Sequence, residues 1–228
     1  MKKYFSLSLQ FIVVLCAALG VSISAIFSGA SAMGSGTVFL YFTIQSNIWI
    51  AAICLVYFII GTAEAISGRP FHIPRILWIL KFVFTVSITL TGAVFCLVLA
   101  PPMPGAFRSV TNILTHAIVP AAAIADLFLC EAGKVSYKFI FFACIPPILY
   151  LLFVSVGYAL GWNFGGGNNY PYFFLNLGSP AGIFGFGDGI YFMGTFYWVI
   201  VLLAFISAIA AIYVAILKSH SAHKVQYR

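Results

Sequence analysis

Six long apolar runs follow one another along the chain, and short polar segments separate them. A helix needs about 20 apolar residues to cross the hydrocarbon core of a membrane, and each run is long enough. Lipid offers no partners to backbone amides, so each run is predicted to be a helix. The predicted spans are Phe5–Phe27, Val38–Ile60, Ile76–Ala100, Val110–Cys130, Phe139–Leu160 and Tyr191–Leu217.

Composition supports this interpretation. The chain is 63% hydrophobic and only 7% charged, whereas soluble domains average about 25% charged residues. The net charge of +7 lies in short segments rather than in a basic stripe, so nucleic acid is not an expected partner. We predict an all-α membrane protein, a single six-helix transmembrane domain over residues 1–228, with membrane lipids around it.

Lysine and arginine predict the orientation. Ten of the eleven basic residues fall near one set of helix ends, and only Arg108 falls at the other. By the positive-inside rule the rich side is cytoplasmic. Both termini are therefore predicted to be cytoplasmic, in a cell membrane, and the long segment between helices five and six to be extracytoplasmic.

The first run has features of a signal peptide, because Lys2 and Lys3 precede it and residues 29–32 (GASA) resemble a cleavage site. Its 23 residues exceed the roughly 7–15 of a signal core, so we expect an uncleaved first helix.

The segment from Gly161 to Gly189 holds nine glycines and eight aromatic residues. Ordered apolar loops of this length often form lids or binding loops. A cap that only packs on the bundle is an equally good interpretation. Tyr170, Tyr172, Phe173 and Asn176 are the candidate substrate-pocket or lid residues.

Polar side chains inside the spans are the best functional markers, because they are costly in lipid. Thr43 and Asn47 share one face of the second helix, and Asn112 and His116 share one face of the fourth. With the helix starts given above, Thr43 and His116 both lie about 8–9 Å below the outer boundary. Pro120 removes the hydrogen bond to the His116 carbonyl, which predicts a polar cavity there.

The remaining polar residues and the cysteines are predicted to have structural roles. Lys81 and Asp126 lie near the inner ends of helices three and four and are predicted to form a structural ion pair. The five cysteines lie inside apolar runs without a CxxC pair, so they are expected to act as small apolar residues. No metal, cofactor or conventional catalytic motif is expected.

A hydroxyl and an imidazole at equal depth suggest a nucleophile and its general base. Thr43 would attack and His116 would take its proton. Asn112 would orient the imidazole, and Gln45 or Asn47 would donate to an oxyanion. On spacing alone, hydrogen bonding between helices is the simpler explanation of these residues.

Three short stretches carry a resemblance. They are residues 41–47 (YFTIQSN), residues 114–116 (LTH) followed by Pro120, and residues 170–176 (YPYFFLN). Together they resemble the androgen-induced protein family and its bacterial six-transmembrane relatives. The resemblance implies an intramembrane hydrolase of fatty acid esters, with Thr43 as nucleophile and His116 as base. Asn176 stands where the animal members have an acidic residue.

Two other functions stay open beside hydrolysis of an amphiphilic lipid ester. The chain could bind a lipid or small amphiphile without turnover. Transport is the third alternative, although paired breaks at mid-membrane, typical of transporters, are not apparent.

Overall fold

A computed structural model describes residues 2–27, 36–130 and 135–226, with side chains of the last range up to residue 220. Within these ranges the fold is entirely helical, and six helices are long and apolar enough to cross a membrane. The helices are α1 (Lys2–Phe27), α2 (Phe42–Ser67), α3 (Arg75–Leu99), α4 (Val110–Leu129), α5 (Lys138–Ala159) and α6 (Thr195–Gln226). The predicted multi-pass architecture is confirmed.

Two helices begin later than the sequence predicted. Residues Thr37–Leu40 form a separate 3-10 turn, and Tyr41 is extended, so α2 begins at Phe42 rather than at Val38. A second 3-10 turn, Gly189–Tyr191, precedes α6, which begins at Thr195. In both places apolar residues continue beyond the helix into a compact turn, and hydropathy cannot distinguish the two.

Helix α3 lies at the centre of the bundle. In its most apolar window 61% of the residues are buried, against 22–44% in the other five helices. It contacts α2, α4, α5 and α6, while α1 packs on α2 and α4. The apolar core therefore has two parts, one among α3, α5 and α6 and one among α1, α2 and α4.

Prolines are accommodated in two different ways. In α4 the five residues Leu114–Ile118 adopt π-helical geometry just before Pro120. Wide turns of this kind recur at functional sites. In α5, Pro146 and Pro147 lie inside a helix that is continuous from Lys138 to Ala159. These two prolines therefore do not interrupt α5.

The predicted ion pair is confirmed and is part of a larger polar cluster. Lys81 Nζ lies 2.6 Å from Asp126 Oδ2, and both residues are completely buried. Asp126 Oδ1 accepts hydrogen bonds from Ser6 Oγ at 2.5 Å and from Gln10 Nε2 at 3.1 Å. The Lys81 ammonium also lies 4.2 Å from the centre of the Tyr57 ring. The cluster thus joins α1, α2, α3 and α4.

The end of the bundle that holds this cluster and the start of α1 is called the terminal end, and the opposite end is called the loop end. At the terminal end Lys3 pairs with Glu64 at 3.0 Å. The GASA sequence at 29–32 and two of the eleven basic residues, Lys134 and Arg228, lie outside the described residues.

We predict that Asp126→Asn destabilises the protein by about 3–5 kcal/mol, because it leaves the Lys81 charge buried without its partner. The double variant Lys81→Met/Asp126→Asn should recover most of this loss, since both charges are gone. Denaturant titration in mixed micelles measures the free energy of unfolding. Asp188→Asn, at an exposed carboxylate, is the matched control and should be neutral. Equal losses in the single and double variants would contradict the pairing.

Candidate functional site

A small cavity lies inside the bundle at the loop end, enclosed by α3, α5, α6 and the start of α2. Its volume is about 80 Å³, below the roughly 300–1,000 Å³ of pockets that enclose whole ligands. Most of the wall is aliphatic or aromatic, and its side chains with a hydroxyl are Thr43, Thr91, Tyr150 and Tyr172. Such a wall suits an apolar chain with one polar end.

The segment between α5 and α6, residues 160–194, is called the long loop, and it roofs the cavity. Residues Phe173–Leu175 form a 3-10 turn, and Tyr172, Phe174 and Leu175 face the cavity. The rings of Tyr172 and Phe174 are stacked with centroids 5.0 Å apart. Gly178 lets the loop approach α5, since a Cβ there would lie 2.6 Å from the Tyr158 hydroxyl. The loop is therefore packed onto the bundle as a roof.

The Thr43 hydroxyl lies at the junction of the roof and α2. Its Oγ1 is 3.3 Å from the Tyr172 hydroxyl, and the backbone amide of Thr43 donates to that same hydroxyl at 3.3 Å. Burial raises the pKa of Tyr172 to about 12, so its phenol stays protonated at neutral pH. The polar end of the cavity is therefore an uncharged pair of hydroxyls.

Asn47 connects α2 with α4. Its amide Nδ2 donates to the carbonyl of Thr43 at 2.8 Å and to the carbonyl of Thr115 at 3.3 Å. Helices α2 and α4 run in the same direction from the loop end. Because the Asn47 amide donates to both carbonyls, Thr43 and Thr115 lie at a similar depth in the bundle. Thr43 and the residue after Thr115, His116, thus lie at nearly equal depth even though α2 begins four residues later than predicted.

His116 faces α3. Its ring stacks on Phe95, with centroids 3.8 Å apart and planes 5° from parallel, and it lies within hydrogen-bonding range of the Thr91 backbone. The ring is 8% exposed, and its Nδ1 is buried without a hydrogen-bond partner among the described residues. Asn47 Oδ1 is also buried without a hydrogen-bond partner among the described residues.

The His116 carbonyl, freed by Pro120, was expected to face a polar cavity. The structure instead packs α3 against it at Gly92, where a Cβ would lie 2.9 Å from the carbonyl oxygen. The π-helical turn around His116 displaces this carbonyl from regular helical geometry. A close helix contact therefore covers the group, and the expectation of a polar hollow there is wrong.

Thr43 and His116 are neighbours across Thr91. The Thr91 hydroxyl is 2.8 Å from Ser46 Oγ, and Ser46 in turn donates to the Thr43 carbonyl at 3.1 Å. Thr43 and Thr91 line the cavity, whereas His116 is not among the described residues that line it. Its imidazole instead stacks on Phe95.

The other two proposed catalytic residues, Gln45 and Asn112, form hydrogen bonds to backbone carbonyls outside the cavity lining. Gln45 Nε2 donates to the Phe39 carbonyl at 3.1 Å, and Asn112 Nδ2 donates to the Ala106 carbonyl at 2.9 Å. These bonds hold turns at the loop end. Asn112 would have to leave Ala106 in order to orient His116.

The candidate lid residues divide in the same way. Tyr172 faces the cavity, but Tyr170 pairs with Tyr191 at 3.2 Å, and Phe173 packs edge-on against Trp198. Asn176 is buried and holds the loop together, since its Oδ1 accepts from the Gly178 amide and its carbonyl accepts from Thr195 Oγ1. Tyr170, Phe173 and Asn176 therefore hold the roof together without lining the cavity, whereas Tyr172 lines it.

Of the described residues that line the cavity, only Thr43 and Tyr172 were predicted as site residues, and those that were missed include Thr91, Phe174 and Leu175. Thr91 and Ser87 form a polar row on α3. The Thr91 hydroxyl donates to the Ser87 backbone carbonyl at 3.2 Å. Two hydroxyls four residues apart inside a span were the available signal.

Among the described residues no group of three metal-ligating side chains occurs, and the cysteines are free. Comparisons of the chain with models of known families, with curated proteins and with solved structures find no match. The fold and the geometry of the cavity are therefore the grounds on which function is proposed.

Proposed function

We propose that this membrane protein binds the apolar chain of an amphiphile in the cavity beneath the long loop. One observation carries the proposal: a partly open, mostly apolar cavity ends at a paired hydroxyl, Thr43 with Tyr172, at the loop end of a membrane-spanning bundle. An apolar body with one polar end is the complement of that wall. The hydroxyl pair would accept or donate to an ester, carboxyl or alcohol group.

The distribution of basic residues supports the location of this site. Under the positive-inside rule the loop end is extracytoplasmic, with the terminal end in the cytoplasm. The amphiphile would then come from the outer leaflet. A lipid tail is already in the membrane, so binding needs no passage through water.

Filling the cavity tests the proposal. Leu203→Trp should lower the affinity for an alkyl-diazirine phosphatidylcholine probe by roughly tenfold or more, because the larger ring takes the space of the chain. The matched control is Val201→Trp on the same helix, which is 49% exposed and faces away from the cavity. Photolabelling of purified protein in nanodiscs gives the measurement. Identical labelling of both variants and wild type would contradict binding in the cavity.

Hydrolysis of the bound amphiphile is the second candidate, and the shared Asn47 amide favours it. That amide holds Thr43 and the residue next to His116 at one height. Buried polar atoms without partners, such as Asn47 Oδ1 and His116 Nδ1, are costly and cluster at sites with a functional need.

The reaction would proceed in two steps. The Thr43 hydroxyl leaves Tyr172, gives its proton to His116 and attacks the ester carbonyl, and the alcohol departs with that proton. Water then attacks the acyl-threonine and gives a proton to His116, and His116 returns that proton to the Thr43 oxygen as its bond to the acyl group breaks and the carboxylic acid is released. Asn47 is the nearest amide for the developing oxyanion, and Gln45 would need to leave Phe39 to assist. The imidazole must pass Thr91 to reach Thr43.

A fluorophosphonate probe separates the two candidates. If the chain is a hydrolase, wild type is labelled and Thr43→Ala and His116→Ala lose about 100-fold or more of the labelling rate. The controls are Thr89→Ala and His72→Ala, and both should label normally. The Thr89 hydroxyl bonds Tyr213 away from the cavity, and His72 is exposed. Unlabelled wild type, or a labelled Thr43→Ala, would leave binding without catalysis.

A further inference from the structure

A second hollow, the lateral groove, runs along the outside of α3 between α2 and α5. Its volume is about 510 Å³, several times that of the cavity. Leu149 is 59% exposed and Ile76 58%, so in a membrane the groove opens to lipid. Gln45 and Trp49 lie at its loop end, and Ile76 lies at its terminal end.

The groove has the dimensions of one lipid tail. On α5 it extends from Phe142 to Phe153, about 16 Å at 1.5 Å per residue. An acyl chain spans one half of a hydrocarbon core about 30 Å thick, or about 15 Å. Within the groove the lining residues carry no charge, and Gln45 is its one amide.

Tyr150 separates the groove from the cavity. Of the described residues it alone lines both. It is 5% exposed, its ring packs against Phe42 with centroids 5.2 Å apart, and its hydroxyl donates to the Leu40 carbonyl at 2.9 Å. That bond fastens α5 to the turn that precedes α2. Rotation of the ring would break this hydrogen bond and the ring contacts with Phe42, Phe153 and Tyr172.

The backbone beneath Tyr150 is suited to movement. Pro146 lines the groove and Pro147 lines the cavity. Neither has an amide hydrogen, so the carbonyls of Phe142 and Ala143 lose their regular partners. Two missing bonds about one turn before Tyr150 make this the weakest point of α5 for bending.

We propose that the lateral groove is the route by which a membrane acyl chain reaches the cavity, and that Tyr150 is the gate between them. This inference rests on the proposed binding function and adds the source of the ligand, a lipid tail that arrives sideways from the bilayer. The chain first lies along the groove. Opening of Tyr150 then joins the groove with the space below Thr43.

The rate of lipid arrival tests the gate. Protein in phosphatidylcholine vesicles is mixed with donor vesicles containing phosphatidylcholine with a diazirine at the chain end. Samples are irradiated over time, and labelling of the cavity residues Leu202 and Leu203 is followed by mass spectrometry. Tyr150→Phe removes the tether to Leu40 and should accelerate labelling about fivefold, the effect of losing one ordinary hydrogen bond from the closed state.

Blocking the groove should do the opposite. Leu149→Trp fills the groove and should slow cavity labelling several-fold, while Leu152→Trp, equally exposed at 58% on the same helix but outside the groove, should label at the wild-type rate. Equal rates in these two variants, with no acceleration by Tyr150→Phe, would overturn the gate and leave binding intact. If Leu149→Trp does not fold, an unaccelerated Tyr150→Phe overturns it alone. Absence of label at Leu202 and Leu203 in wild type would overturn binding as well.

Discussion

Lipid supplies no hydrogen-bond partners, and this constraint organises the interior of the bundle. At the terminal end the Asp126 carboxylate is matched by Lys81, Ser6 and Gln10. At the loop end Asn47 serves two carbonyls with one amide group. The bonds of Asp126 to Lys81, Ser6 and Gln10 and the bond of Asn47 to Thr115 cross between helices, so these polar groups also fix how the helices are arranged.

The two ends of the bundle use polar groups for different purposes. The ion-pair cluster is fully enclosed and holds α1 to α4 together. The loop-end hydroxyls of Thr43, Thr91 and Tyr172 instead border the cavity. The buried atoms Asn47 Oδ1 and His116 Nδ1 have no hydrogen-bond partner among the described residues, but they belong to residues outside the cavity lining. Gln10 Oε1 in the cluster around Asp126 is in the same position, so the reason to expect a ligand at the loop end is the apolar cavity with its hydroxyls.

Much of this architecture was predictable from sequence. Hydropathy identified all six spans, and the depth of Lys81 and Asp126 predicted their pairing. The equal depth of Thr43 and His116 was predicted from an incorrect helix start, and it agrees with the hydrogen bonds of Asn47. Side-chain direction was not predictable, because the π-helical turn at Leu114–Ile118 rotates that part of α4 relative to regular geometry. The cavity itself depends on Phe174, Leu175 and α6, residues whose approach a local pattern does not encode.

An experimental density map of the protein in lipid nanodiscs tests the central claim most directly. The account predicts elongated density in the cavity, with its polar end within hydrogen-bonding distance of the Thr43 and Tyr172 hydroxyls. A cavity closed by inward movement of Tyr172 and Leu203, without such density in a membrane of native lipids, would contradict it.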